Sequence, residues 1–122
     1  MSEFTSTIYS PDRLVGNNAH LLVGQKVTIL TGQVLSRGAL LGKITASGKH
    51  ILSLSAAGDG SQTADLILAE DVDATAADVV TLAYSRGDFD ESAVTYGTGH
   101  TADSVRETLR GKGIVLVPSV SA

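Results

Sequence analysis

The chain has 122 residues, 43% of them hydrophobic but only 4% aromatic, with no Trp and no Cys. That suffices for one domain with its own core, built from Val, Leu, Ile and Ala in thin β layers rather than around large rings. A net charge of -4 argues against a nucleic-acid ligand surface, which needs clustered Lys and Arg, and the lack of Cys excludes disulfides and thiolate metal sites.

No run approaches the ~20 apolar residues of a membrane span. Met1-Ser2-Glu3-Phe4 lacks the basic segment and apolar run of a secretory signal. The expectation is a soluble protein made and used in a cytoplasm, with no membrane partner and no direct nucleic-acid partner.

Residues 1–18 read as an arm, and residues 19–122 as a single β-rich domain. The arm is rich in Ser, Thr, Asn and Gly, and its apolar residues Phe4, Ile8, Tyr9 and Leu14 have no helical spacing. Phe4 to Tyr9 is Thr-rich and β-prone, and Pro11 ends it. Leu21-Leu22-Val23 and Val27-Thr28-Ile29-Leu30 are expected as short strands separated at Gly24. In the run from Thr31 to Ile44, apolar pieces divided by Gly32, Gly38 and Gly42 indicate tight corners. Gly42 to Thr45 and Lys49 to Leu52 flank Ala46-Ser47-Gly48 as a hairpin.

Ala56 to Ser61 is a turn-rich loop, and Ala64 to Ala69 is either a strand or a helical turn. Glu70 to Ala74 is an acidic link. Val79 to Tyr84 is the clearest strand, expected to enter a turn at Ser85-Arg86-Gly87-Asp88, with a further strand around Ala93 to Tyr96. One helix is expected: Thr101 caps it, Asp103 complements its dipole, Ala102, Val105 and Leu109 form its apolar stripe, and Gly111 and Gly113 stop it. Ile114 to Val117 closes the chain as a buried strand before Pro118.

No chemistry-bearing motif is complete in this sequence. Asp88, Asp90 and Ser92 start like a calcium loop, but Ala93 stands where that loop needs Gly, and Gly99 where it needs a bidentate Glu. Asp71, Asp73 and Asp78 read as a solvated link. His20, His50 and His100 share no metal-ligand spacing and read as surface or loop residues. There is no Gly-x-Ser-x-Gly elbow, and Gly58-Asp59-Gly60-Ser61 lacks the Lys of a phosphate loop. Catalytic, metal and cofactor residues are therefore expected to be none.

The run Thr31 to Ile44, the loop Ala57 to Ser61, the stretch Ala64 to Val72, the strand Val79 to Tyr84 and Arg86-Gly87-Asp88-Phe89 resemble, in order and spacing, the bacteriophage head decoration protein family. Phe4-Thr5 and Tyr9-Ser10-Pro11 are similar to the arm of that family. The resemblance implies a mainly β, β-clip-like compact domain with one short helix and an extended N-terminal arm. It also implies a structural virion protein, not an enzyme, that sits as a homotrimer at three-fold and quasi-three-fold positions. There it would bind the major capsid protein on the outer surface of the expanded head, after a stage in the host cytoplasm, and stabilise the shell against DNA packing pressure. The capsid-binding residues expected are Glu3, Phe4, Thr5, Ser6, Thr7, Ile8 and Tyr9.

Two other readings stay open at this level. One is a biotinyl- or lipoyl-like carrier or other small β binding module; a carrier would present a modified Lys at a hairpin tip, and Lys49 lies near one, without a preceding Met or a flanking acid. A trimeric nucleotide hydrolase would need acidic clusters and a phosphate loop between subunits.

Overall fold

The computed structural model describes residues 23–118. In chain order they form β1 (Val23–Ile29), β2 (Val34–Leu35), β3 (Leu40–Lys43), β4 (His50–Leu52), β5 (Ala64–Leu68), β6 (Val72–Asp73), β7 (Val79–Asp90), a 3-10 turn (Glu91–Ala93), α1 (Ala102–Arg110) and β8 (Ile114–Val117). The expected class, mainly β with one short helix, is the one the chain adopts.

Strands β1, β4, β3, β5 and β7 lie side by side, and β7 returns to pair with β1, so the sheet closes into a small barrel. Closure depends on the 12-residue length of β7. Its first part runs antiparallel to β1, from Val79 opposite Ile29 to Arg86 opposite Val23. Ala83 and Tyr84 pair with β5 on the other edge. Gly87 to Asp90 then leave the ring and run parallel to β8. The short β2–β6 ribbon sets Leu35 and Val72 against the barrel interior.

Two cores lie on opposite faces of one sheet. Val27, Ile29, Leu41, Leu66, Leu68 and Ala83 fill the barrel. Leu40, Ile67, Phe89 and Ile114 lie outside it, under Val105 and Leu109 of the helix. Strands β3 and β5 therefore have both faces covered, which removes the polar alternation of a half-exposed strand. This is why Ala64 to Ala69 reads ambiguously in sequence: Leu66, Ile67 and Leu68 are all buried, yet they form a strand. Two strands with buried faces also force close backbone approach. A Cβ on Gly42 would collide with the carbonyl of Ser61.

The helix forms as its residues dictate. Thr101 Oγ1 accepts from Ser104 N at 3.1 Å, and Ser104 Oγ accepts from Thr101 N at 2.8 Å, a reciprocal cap. Asp103 sits in the first turn and Arg110 in the last, both favourable to the dipole. Gly111 caps the C-terminus, and Gly113 takes φ of +97° as the chain turns into β8. The hairpin about Ala46-Ser47-Gly48 is present too, with Lys43 opposite His50.

Four expectations need correction. Leu21 and Leu22 lie outside the described residues, and Val23–Ile29 is one unbroken strand, because β7 pairs through Gly24 with only a register shift beside Val23. Ser85 to Asp88 is not a turn: β7 continues through it, bending at Gly87 (φ +138°), because β8 supplies a new partner. Ala93 to Tyr96 is not a strand, since the Asp90 side chain accepts from Ser92 N and nucleates the 3-10 turn instead. Only Thr95 makes an isolated bridge, to Ala39. Finally, His50 is not a surface residue, being 3% exposed within β4.

Candidate functional site

The residues expected to grip a partner, Glu3, Phe4, Thr5, Ser6, Thr7, Ile8 and Tyr9, lie outside the described residues, as does His20. Among the described residues, two polar clusters contain a histidine, and one cavity opens beside the seam of the ring.

The first cluster joins β4 to β5. His50 Nε2 lies 2.9 Å from Asp65 Oδ2, and Lys112 Nζ lies 3.5 Å from Asp65 Oδ1. The hydrogen bond from His50 holds the Asp65 carboxyl below the usual carboxylate range, against the opposing effect of burial. An ionised carboxylate can only accept, so Nε2 carries the proton. His50 Nδ1 is buried and has no hydrogen-bond partner. Nothing in the sequence announces this pair, since residues 50 and 65 meet only through strand pairing on β3.

The second cluster joins loops. His100 Nε2 lies 3.0 Å from Ser53 Oγ and 3.1 Å from the Gln62 carbonyl. Ser53 Oγ donates to the Ser61 carbonyl at 2.6 Å. The Gln62 carbonyl only accepts, so His100 Nε2 is a donor and cannot take a proton from Ser53. Ser53 is also fully buried. This Ser–His contact is a loop clamp, not a nucleophile and its base.

Asp71, Asp73, Asp78 and Asp90 each accept from a backbone N–H. Asp71 accepts from Arg37 N, Asp73 from Thr75 N, and Asp78 from Thr31 N. Asp90 caps the 3-10 turn. Among the described residues, no group of three or more His, Asp or Glu is placed to hold a metal ion. Lys49, the residue a carrier would present, is tied to Asp78 at 2.6 Å. Arg86-Gly87-Asp88 lies within β7 with its Gly buried, not at a loop tip. No described helix is long and apolar enough to cross a membrane.

The opening is where the ring is thinnest. β1 meets β4 only at Ile29 opposite His50. Beside this single contact lies a cavity of about 400 Å3, bordered by Lys26, Thr28, Lys43, His50, Asp65 and Val80. Nearby, Val80 and Leu82 point outward from β7 and are 65% and 44% exposed. The cavity is open, and its border is mainly polar.

None of the curated proteins matches this chain. A family model does match, over residues 4–113, and its description is bacteriophage lambda head decoration protein D. The match takes in Phe4 to Tyr9, the whole barrel and the helix. This chain, a small β-barrel with one capped helix, therefore belongs to the family of the bacteriophage lambda head decoration protein D.

Proposed function

We propose that this protein is a structural component of a phage virion that binds the outer surface of the expanded head as a homotrimer and stabilises the capsid. Its partner is the major capsid protein, and its action is to cross-link neighbouring shell subunits against the pressure of packaged DNA. The observation that carries this reading is the family match over residues 4–113.

The mechanism is mass action. A protein that binds only the expanded, assembled shell stabilises that state over the others. Three linked copies gain avidity beyond one weak contact. Residues 1–18 act as the grip and residues 19–122 as the body. Glu3, Phe4, Thr5, Ser6, Thr7, Ile8 and Tyr9 add as a strand to a sheet edge on the shell, with Phe4, Ile8 and Tyr9 filling pockets. Ordering such a segment costs about 2–5 kcal/mol of gross interaction energy, so several contacts per trimer are needed.

Co-sedimentation with expanded, DNA-free heads tests the reading, with compact unexpanded shells as control. Saturable binding to expanded heads alone is expected. Deleting residues 2–10 should abolish binding while the circular dichroism spectrum of the barrel stays unchanged. Undiminished binding by the truncated protein would rule out the arm as the grip, and binding of the intact protein to neither shell would overturn the reading.

A further inference from the structure

The barrel has a seam. β1 is hydrogen-bonded to β7 along its length, from Val23 to Ile29. On its other edge it meets β4 at one position, Ile29 opposite His50. Leu30 N donates to the His50 carbonyl at 3.1 Å, so Leu30 points its backbone toward β4. Backbone groups alternate between the two edges of a strand. The N–H groups of Thr28 and Lys26 therefore lie on the β4 side as well, where no strand of the described residues pairs with Lys26. An unpaired strand edge is a template for another strand.

The charge beside this edge is selective. Among the described residues, Lys49, Arg106, Arg110 and Lys112 are held in ion pairs, and Arg37 is held by the Ala69 carbonyl and the Tyr84 hydroxyl. Lys26, Lys43 and Arg86 have no such partner among the described residues; both lysines border the cavity beside the open edge, whereas Arg86 lies by Gly87, Asp88 and Gly113. Asp65, the acid at the same cavity, is already engaged by His50 and Lys112. A chain with net charge -4 thus places two uncompensated cations on the two banks of one opening. Their mutual repulsion is relieved by an anion between them. His50 lines the same cavity, and its buried Nδ1 has no hydrogen-bond partner among the described residues, so an entering donor that reaches it finds a free acceptor.

The geometry points to β1 as a docking edge: an extended, acidic segment of the shell protein adds as a strand along Gly24 to Thr28. Its carboxylate sits between Lys26 and Lys43, and one of its N–H or O–H groups donates to His50 Nδ1. Strand addition supplies affinity through the backbone, and the two lysines select an acidic sequence. A lone edge lysine is a common guard against indiscriminate pairing, but Lys43 belongs to an interior strand, paired to β4 and β5, and has no edge to guard. This inference rests on the decoration reading and adds a second contact to the arm, with the roles reversed: here the shell contributes the strand.

The test uses the intact protein and expanded, DNA-free heads. Hydrogen exchange read by mass spectrometry on peptides covering residues 23–29 is expected to slow when the protein is bound. The double charge reversal Lys26→Glu with Lys43→Glu should weaken binding by about tenfold or more. Arg86→Glu, which reverses a cation away from the seam, should leave binding unchanged. Lys26→Pro removes an N–H that faces the seam and not β7, so it should weaken binding without lowering the melting temperature by much. Binding of the double variant at wild-type strength, or unchanged exchange over residues 23–29 in the bound protein, would overturn the docking edge while leaving the decoration reading intact. Equal loss with Arg86→Glu would also overturn it, because that is a general charge effect. Failure of the wild-type protein to bind expanded heads would overturn both.

Discussion

Asp65 sits on the wall of the barrel, 27% exposed, bonded to the buried His50 imidazole and facing the Lys112 ammonium. Its folded-state carboxyl is held below the ordinary value of 3.8, first by the His50 hydrogen bond. The unfolded chain has no such partner. Its contribution to stability is therefore complete above about pH 4 and lost as pH falls through the lower folded value. Asp65→Ala should cost about 1–3 kcal/mol at neutral pH, because it leaves a buried histidine with neither nitrogen paired. Asp65→Asn should cost less, since an amide oxygen still accepts from Nε2. Urea denaturation of the three proteins from about pH 7 down to about pH 2 measures both effects, and the acid limb attributable to this group should vanish in the alanine variant.

At the level of elements, the glycines divide by what surrounds them. Gly42 lies in a strand buried on both sides, and its missing Cβ leaves room for the Ser61 carbonyl. Gly58 lies in the loop with nothing within 4 Å of the corresponding point. Gly42→Ala should destabilise the protein by about 1–3 kcal/mol or more, because backbone must move. Gly58→Ala should change stability by no more than about 0.5–1 kcal/mol, and in the favourable direction. Thermal melts of the two variants side by side make the comparison. The sequence marks both positions as corners. Only one of them is, and nothing local distinguishes them: the neighbour of Gly42 is 19 residues away in the chain, a separation that strand pairing alone closes. The helix is the opposite case. Its cap, its stripe of Val105 and Leu109 and its stop all act within a few residues, so they are readable without knowing the fold.

For the whole molecule, the two cores share strands β3 and β5, whose successive residues face opposite ways. Leu40 and Ile67 belong to the outer cluster, Leu41 and Leu66 to the inner one. Neither cluster can lose its packing without loosening the strands that carry the other. Phe89, fully buried in the outer cluster with its ring 5.3 Å from that of Tyr84, is the test position. Phe89→Ala should cost about 3–5 kcal/mol. It should still unfold in one transition, with tyrosine fluorescence and far-ultraviolet circular dichroism coinciding. Two separated transitions would show that the cores fold independently.

The amino-acid sequence by itself determined what short-range rules govern. A core poor in aromatic residues implies thin β layers, Ala46-Ser47-Gly48 implies a hairpin, and Thr101 with Asp103 implies the start of a helix. The ordered motifs from Thr31 to Phe89 also carried the family resemblance, because spacing survives in one dimension. Tertiary structure alone decided what depends on which edges meet. β7 passes straight through Arg86-Gly87-Asp88 because β8 lies ready to pair with it. His50 meets Asp65 because β3 aligns their strands, and among the described residues β1 meets β4 at a single position. Such contacts join residues far apart in the chain, and their free energy comes from pairing and burial that exist only once the barrel has closed.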